Sequence, residues 1–207
     1  KGVLEGSRYL GACTMGHGFT NAADSLAAIR KLVYQEKKLT LKQLVEALDA
    51  NFEGYEEIQK LLQAAPKFGN DIDEVDELLV DIYRQTNAAA DRAGRQVGLG
   101  FHTVSSVNPG GYGMGAACGA TADGRKKGEP FAIGHAPTAG KDTSGLTALF
   151  NSVAKIDPAN GGAVTNFKIS REMFTSSREK LQAMFDVYFD MGGMEATLTV
   201  VNRNDLQ

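Results

Sequence analysis

Apolar positions recur at helical spacing through the first half of the chain and at strand spacing through much of the second. From Asn21 to Tyr34, Leu26, Ile29 and Val33 fall on one face, with Asn21 or Asp24 placed to cap the helix. Thr40-Leu41-Lys42-Gln43 is a capping box, with Thr40 as N-cap and Gln43 three residues on. It opens a helix that turns Leu41, Leu44, Val45 and Leu48 inward. Tyr55, Ile58, Leu61 and Leu62 mark a third helix, closed by Pro66. A fourth starts near Asp71–Asp73 and buries Val75, Leu78, Leu79, Ile82 and Tyr83. Acidic residues crowd its first turn, where the helix dipole favours them.

The period changes at Gly98. Phe101 to Val107 carries β-branched and aromatic residues between Gly100 and Pro109, and predicts a strand. Gly110 to Lys141 has no sustained period, which predicts a long ordered loop or several short pieces, a length often kept for function. A helix follows over Ser144–Ala154, then a strand over Ala163–Ile169. Arg178–Asp190 is amphipathic through Leu181, Met184, Phe185, Tyr188 and Phe189. Glu195–Val201 closes as a strand, with Ala196, Leu198 and Val200 opposite Thr197, Thr199 and Val201. The class is therefore α/β, with a helical part (residues 1–97) and a part of strands and glycine-rich loops (residues 98–207).

Composition sharpens this picture in one place. Glycine supplies 24 of 207 residues, and 13 of them lie between Gly94 and Gly145. Irregular backbone on a rigid scaffold is where sites tend to sit. Other classes fall away. The 22 Lys+Arg are outnumbered by 25 Asp+Glu, giving a net charge of −3, which disfavours a nucleic-acid partner. No apolar run approaches the roughly 18–20 residues that span a bilayer, so no membrane association is expected. Cys13 and Cys118 form neither a disulfide framework nor a zinc spacing, which favours a reducing, cytoplasmic setting.

The glycine-rich stretch invites a phosphate-loop reading and fails it. With Gly140-Lys141 aligned to a P-loop, the first glycine falls on His135, and Asp142 stands where Ser or Thr would hold magnesium. Gly111-Tyr112-Gly113-Met114-Gly115 does not make a dinucleotide fingerprint, because no helical apolar stripe follows and Asp123-Gly124 signals a turn. His17, His102 and His135 lack metal-ligand spacing, so no metal is expected. A Cys–His pair stays open, since such partners need only meet in space. The competing reading of each cysteine, a small buried hydrophobe, is stronger. No Gly-x-Ser-x-Gly occurs.

Several stretches, in order along nearly the whole chain, resemble the glycyl radical enzyme family, which includes pyruvate formate-lyase, diol and choline-type lyases and the succinate synthases. They are Thr20-Asn21-Ala22-Ala23-Asp24-Ser25-Leu26-Ala27-Ala28-Ile29-Arg30-Lys31-Leu32-Val33 and Ala65-Pro66-Lys67-Phe68-Gly69-Asn70-Asp71-Ile72-Asp73. Next comes the most specific, Gly119-Ala120-Thr121-Ala122-Asp123-Gly124-Arg125-Lys126-Lys127-Gly128-Glu129-Pro130, where the usual pattern has Pro at Ala122. Gly140-Lys141-Asp142-Thr143-Ser144-Gly145, Ser152-Val153-Ala154-Lys155 and Val200-Val201-Asn202-Arg203 complete the set.

The resemblance implies a β/α barrel in which a radical stored on a glycine passes to a cysteine sulfur, which takes a hydrogen atom from the substrate. It implies no bound cofactor, and an activating enzyme that uses S-adenosylmethionine and an iron–sulfur cluster to install the radical. Neither Cys13 nor Cys118 sits in the family's catalytic setting, and none of the 24 glycines sits in its Arg-Val-x-Gly-Tyr-like hairpin. The chain, which begins Lys1-Gly2-Val3 and ends where a new helix would start, is therefore expected to be an internal piece, incomplete as a barrel and inactive alone.

Its expected contribution is barrel wall and substrate pocket. The candidates are Thr103 and Ser105 on one face of their strand, Thr14 across the pocket, and Asn166, which interrupts the apolar alternation of its own strand. His102, Val104 and Ser106 share the other face of the first strand. Gly134 to Asp142, with Gly145-Leu146-Thr147-Ala148 and Val164 to Lys168, look most like the alkyl- and benzylsuccinate synthase branch. That likeness implies addition of a hydrocarbon to fumarate, with a homodimer and small accessory subunits as further partners. The alternatives are a glycyl radical diol dehydratase or formate-lyase-like enzyme, and a non-catalytic binding protein built on the barrel.

Overall fold

The structure is a computed structural model, and it describes residues 6, 10–105, 110–157 and 161–202. Four strands, β1 (Gly11–Gly16), β2 (Gly100–Ser105), β3 (Gly161–Ser170) and β4 (Glu195–Val201), form one sheet in the order β1-β2-β3-β4, every neighbouring pair parallel. Parallel neighbours need long crossovers, and here these are helical. Between β1 and β2 lie α1 (Phe19–Ile29), a π-helical turn (Arg30–Gln35), α2 (Leu41–Asp49), α3 (Glu56–Ala64) and α4 (Asp73–Gln96). The next crossover holds α5 (Gly110–Ala117) and α6 (Leu146–Ala154), and the last holds α7 (Arg171–Ser176) and α8 (Arg178–Asp190).

The register decides which strand residues share a face. Thr14 aligns with Thr103 and Cys13 with His102 across β1 and β2; Phe167 aligns with Leu198 across β3 and β4. One face carries Thr103, Ser105, Thr165, Phe167 and Ile169, all buried, and packs on the helices. Its core joins Phe19, Val75, Leu79, Tyr83, Leu149, Phe150, Phe167 and Tyr188. Phe150 stacks on Phe167 at 4.3 Å, and Tyr188 stands edge-on to both. A second cluster, around Leu32, Leu44, Phe52 and Leu62, lies among the early helices and takes in Ala122. Among the described residues, nothing covers the opposite face of β1 and β2, where Cys13 and His102 are exposed.

The capping box of α2 is present in both directions, and α8 and β4 have the predicted bounds. Four expectations change. The N-cap of α1 is Gly18 in a left-handed conformation (φ 78°), because the side chains of Asn21 and Asp24 bond to distant segments instead. Within α2, Leu44 and Ala47 are buried while Leu41 and Val45 face solvent, since this short helix packs along a narrower stripe than its apolar positions suggest. β1 is a strand where its small and polar residues gave no alternation. Half of α5 is glycine, yet it is helical: a Cβ on Gly115 would stand 2.3 Å from the Glu129 carbonyl oxygen, and only glycine allows that approach. The predicted strand end at Ser106–Val107 and the helix start after Asn202 lie outside the described residues. No described helix is long and apolar enough to cross a membrane.

Candidate functional site

Of the predicted pocket residues, the structure brings two together. Thr14 and Thr103 are in-register neighbours whose hydroxyls lie 3.0 Å apart, so Thr14 sits beside Thr103 rather than across a pocket from it. Thr103 and Ser105 are each 1% exposed and turn towards the helix layer. The reason is α4: the Thr103 N–H donates to Asn87 Oδ1 (2.8 Å), and the Tyr83 hydroxyl donates to the Thr103 carbonyl (3.1 Å). A helix here supplies partners for these backbone groups at the register position where β3 begins. Asn166 alternates with the buried Thr165 and Phe167, and so lies on the opposite, open face with Lys168. That face also carries Cys13, Met15, His102 and Val104. The register sets Cys13 beside His102 and Met15 beside Val104, and Cys13 is exposed there rather than the buried hydrophobe expected of it.

Around the strands, the glycine-rich stretch is held by buried polar side chains. Asp123 stands at the centre of a turn, accepting from Thr121 Oγ1 (2.5 Å) and the Arg125 N–H (3.2 Å) on one oxygen and from Asn21 Nδ2 (2.7 Å) on the other. Asn21 also accepts the Ala132 N–H at 2.8 Å. The Arg125 guanidinium, 5% exposed, donates to the carbonyls of Gly115, Gly119, Lys126 and Glu129 and lies 4.4 Å over the Phe131 ring. Five donors in a rigid fork suit such a convergence of carbonyls.

A second tie runs through Asp24, which accepts the Phe68 N–H (2.8 Å) and the Thr138 hydroxyl (3.4 Å). Burial pushes its carboxyl up to about 7, against the opposing pull of the Phe68 N–H and Lys67. Burial likewise lowers the Lys67 ammonium, which donates to the Leu62 carbonyl at 2.7 Å. Asn70 then accepts from the N–H groups of Thr143 and Ser144 and donates to the Lys141 carbonyl. His135 is fully buried against the rings of Phe19 and Tyr83, and burial pushes it down to about 4.

Asp71, Asp73 and Asp76 are close enough together to hold a metal ion, but the Lys155 ammonium already sits among them at 3.0, 2.6 and 2.7 Å. The cation of this cluster is internal. His102 lies on the open face of the sheet and His135 beneath the helix-covered one, so these two do not share a ligand.

Sequence reasoning missed Asn21, Asp24, Arg125 and His135 as organisers. All four lie in stretches singled out above, where local logic made two of them helix caps and placed the others in unreadable loop.

Residues 1–111 match the pyruvate formate lyase-like family model, and residues 131–207 match the glycine radical model. The chain is 33% identical to the trans-4-hydroxy-L-proline dehydratase of Clostridioides difficile over 97% of its own length and 26% of that protein's. It is 41% identical to the isethionate sulfite-lyase of Bilophila wadsworthia over 65% of its length and 16% of that protein's. Among solved structures, one describing 1,2-propanediol dehydration in Roseburia inulinivorans superposes with a TM-score of 0.91 at 36% identity, covering 97% of this chain and 27% of that one. The chain thus spans about a quarter of the length of relatives that it matches from end to end.

Proposed function

The chain belongs to the glycyl radical enzyme family, and from that premise we propose that it forms barrel wall and substrate surroundings in a radical lyase that breaks a C–O or C–S bond of a small hydroxylated compound. The end-to-end likeness to a hydroxyproline dehydratase, at 33% identity over 97% of the chain, carries this reading. The likeness to a propanediol-dehydrating structure and a sulfite-lyase supports it. These relatives favour the dehydratase alternative over addition of a hydrocarbon to fumarate. The radical, held on a protein glycine, supplies hydrogen-atom abstraction; this chain's own residues supply shape and polarity around it.

On this reading the open face of the sheet looks into the reaction space. Cys13, Met15, His102 and Val104 offer a mixed apolar and polar wall, and Asn166 and Lys168 add a carboxamide and a cation further along β3. Thr14, Thr103 and Ser105 back that wall from the helix side. A largely enclosed interior suits a reactive intermediate, because it excludes water and competing donors. The elaborate fastening of the glycine-rich stretch keeps the strand ends rigid around it.

The test is an anaerobic assay of the activated full-length enzyme that contains this chain, with propane-1,2-diol, glycerol, trans-4-hydroxyproline and isethionate in parallel, reading aldehyde, dehydrated imino acid or sulfite. Turnover of one of these is expected. Formation of a succinate adduct from fumarate plus toluene or an alkane, with none of the four substrates consumed, would refute the proposal.

A further inference from the structure

Beneath the helix-covered face of the sheet, four buried polar atoms have no hydrogen-bond partner: Ser105 Oγ, Thr165 Oγ1 and both ring nitrogens of His135. Their residues are 1%, 0% and 0% exposed. Native cores rarely leave such atoms dry, so a group of them in one place calls for a ligand.

Strand register and ring contacts link the three side chains to one region beneath the sheet. Ser105 aligns with residue 163 of β3, so Thr165 stands on the same face two residues further along the neighbouring strand. Gly16 is in register with Ser105, and the Phe19 ring lies so close under Gly16 that a Cβ there would approach it to 2.2 Å. The His135 ring stacks on Phe19 at 6.4 Å and meets Tyr83 edge-on at 4.8 Å. Tyr83 in turn reaches the Thr103 carbonyl, two residues before Ser105. The imidazole therefore packs in one cluster with the Phe19 and Tyr83 rings, beneath the strands that carry the two hydroxyls.

We propose that ordered water occupies this patch and bridges the His135 imidazole to the Ser105 and Thr165 hydroxyls, an internal hydration site that fastens the glycine-rich segment to the sheet. The donor and acceptor inventory fits. A buried water takes two to four polar partners, and the patch offers four atoms. Each hydroxyl both donates and accepts, and a neutral imidazole has one nitrogen of each kind. Burial keeps that imidazole neutral near pH 7. Anions and metal ions are poorer occupants, since among the described residues no charged group balances them there.

Thr165→Val tests the assignment by the sign of its effect, because it swaps a hydroxyl for a methyl of the same shape. With bridging water present, the variant strands that water and lowers the unfolding midpoint by about 2–4 °C, and the loss shrinks when His135→Leu is already in place. In a dry patch the variant removes an unsatisfied hydroxyl, so the midpoint stays or rises, which would overturn the proposal. Water-to-protein magnetisation transfer in the unsubstituted protein needs no variant. Long-lived water cross-peaks to His135 and Thr165 support the site, and their absence overturns it even if the two residues prove energetically coupled.

Discussion

Asp24→Asn isolates a strongly perturbed buried carboxyl with little change of shape. The amide keeps an acceptor oxygen for the Phe68 N–H, and its NH2 group can donate to the Thr138 hydroxyl. What it removes is a titration. Asp24 has its folded value raised from 3.8 to about 7, so between those limits the folded protein holds a proton that the unfolded chain has released. The associated stability is complete below pH 3.8 and is lost as the pH rises through about 7. Each pH unit inside the window is worth about 1.4 kcal/mol, so the loss reaches about 3 kcal/mol between pH 4.5 and 7. His135 titrates in the opposite sense: with its folded value lowered to about 4, its contribution is complete above 6.5 and lost as the pH falls through about 4. Both proteins share that slope, so it cancels in their difference. Urea unfolding followed by circular dichroism at pH 4.5, 5.5, 6.5 and 7.5 gives the difference directly. The Asn variant gains on the parent by about 1.4 kcal/mol per unit up to pH 7 and then runs parallel. A constant difference across the series, with the variant less stable throughout, would mean an ionised Asp24 paired to Lys67 and would refute the reasoning.

Three further outcomes are expected. Arg125→Lys removes the planar fork that gathers four carbonyls and the contact over Phe131. It should cost about 3 kcal/mol or more and open the glycine-rich stretch to limited proteolysis before global unfolding. Lys155→Ala leaves three carboxylates facing one another, one of them on the buried Asp76. The midpoint should fall and then recover on adding millimolar calcium, which takes the ammonium's place, whereas the parent's midpoint should not respond. Gly115→Ala drives a methyl into the Glu129 carbonyl, and an overpacking cost of about 1–3 kcal/mol is expected in thermal unfolding; Gly113→Ala, with open space around it, is the matched control.

What was legible in the sequence was local. The Thr40–Gln43 box, the stripe of α8 and the alternation of β4 each encode their element within a few residues, and each appears as read. β1 was illegible because it is an edge strand whose residues are exposed or nearly so, leaving no buried face to impose a period. α5 was illegible because glycine opposes helix formation, and the fit against residues 129–131 that overrides this comes from elsewhere in the chain. The choice of face on β2 was undecidable by pattern, since both of its faces mix polar and apolar residues. Asn87 and Tyr83, sixteen and twenty residues back, decide it. Asn21 and Asp24 show the same limit from the other side: both are good caps by local rules, and both serve partners more than forty residues away.

That long-range use of polar side chains follows from the glycine-rich stretch itself. Irregular backbone cannot satisfy its N–H and C=O groups in a ladder, and once buried it must find other partners. Apolar packing cannot provide them. The helical part therefore lends carboxamides and a carboxylate: Asn21 to Ala132 and Asp123, Gln59 and Gln63 to the Gly124 carbonyl, Asn70 to residues 141–144, and Asp24 to Thr138. Burying such groups is costly, and the cost is recovered only while both sides of each bond are present. The parts on either side of Val97 are thus interdependent. Separated there, the first would carry Asn21, Asp24 and Asn70 with some or all of their partners missing, and the second would carry a turn around Asp123 that no helix completes. The rigidity that would hold the strand ends around a reactive intermediate belongs to neither part alone, and arises where the lent side chains meet the irregular backbone.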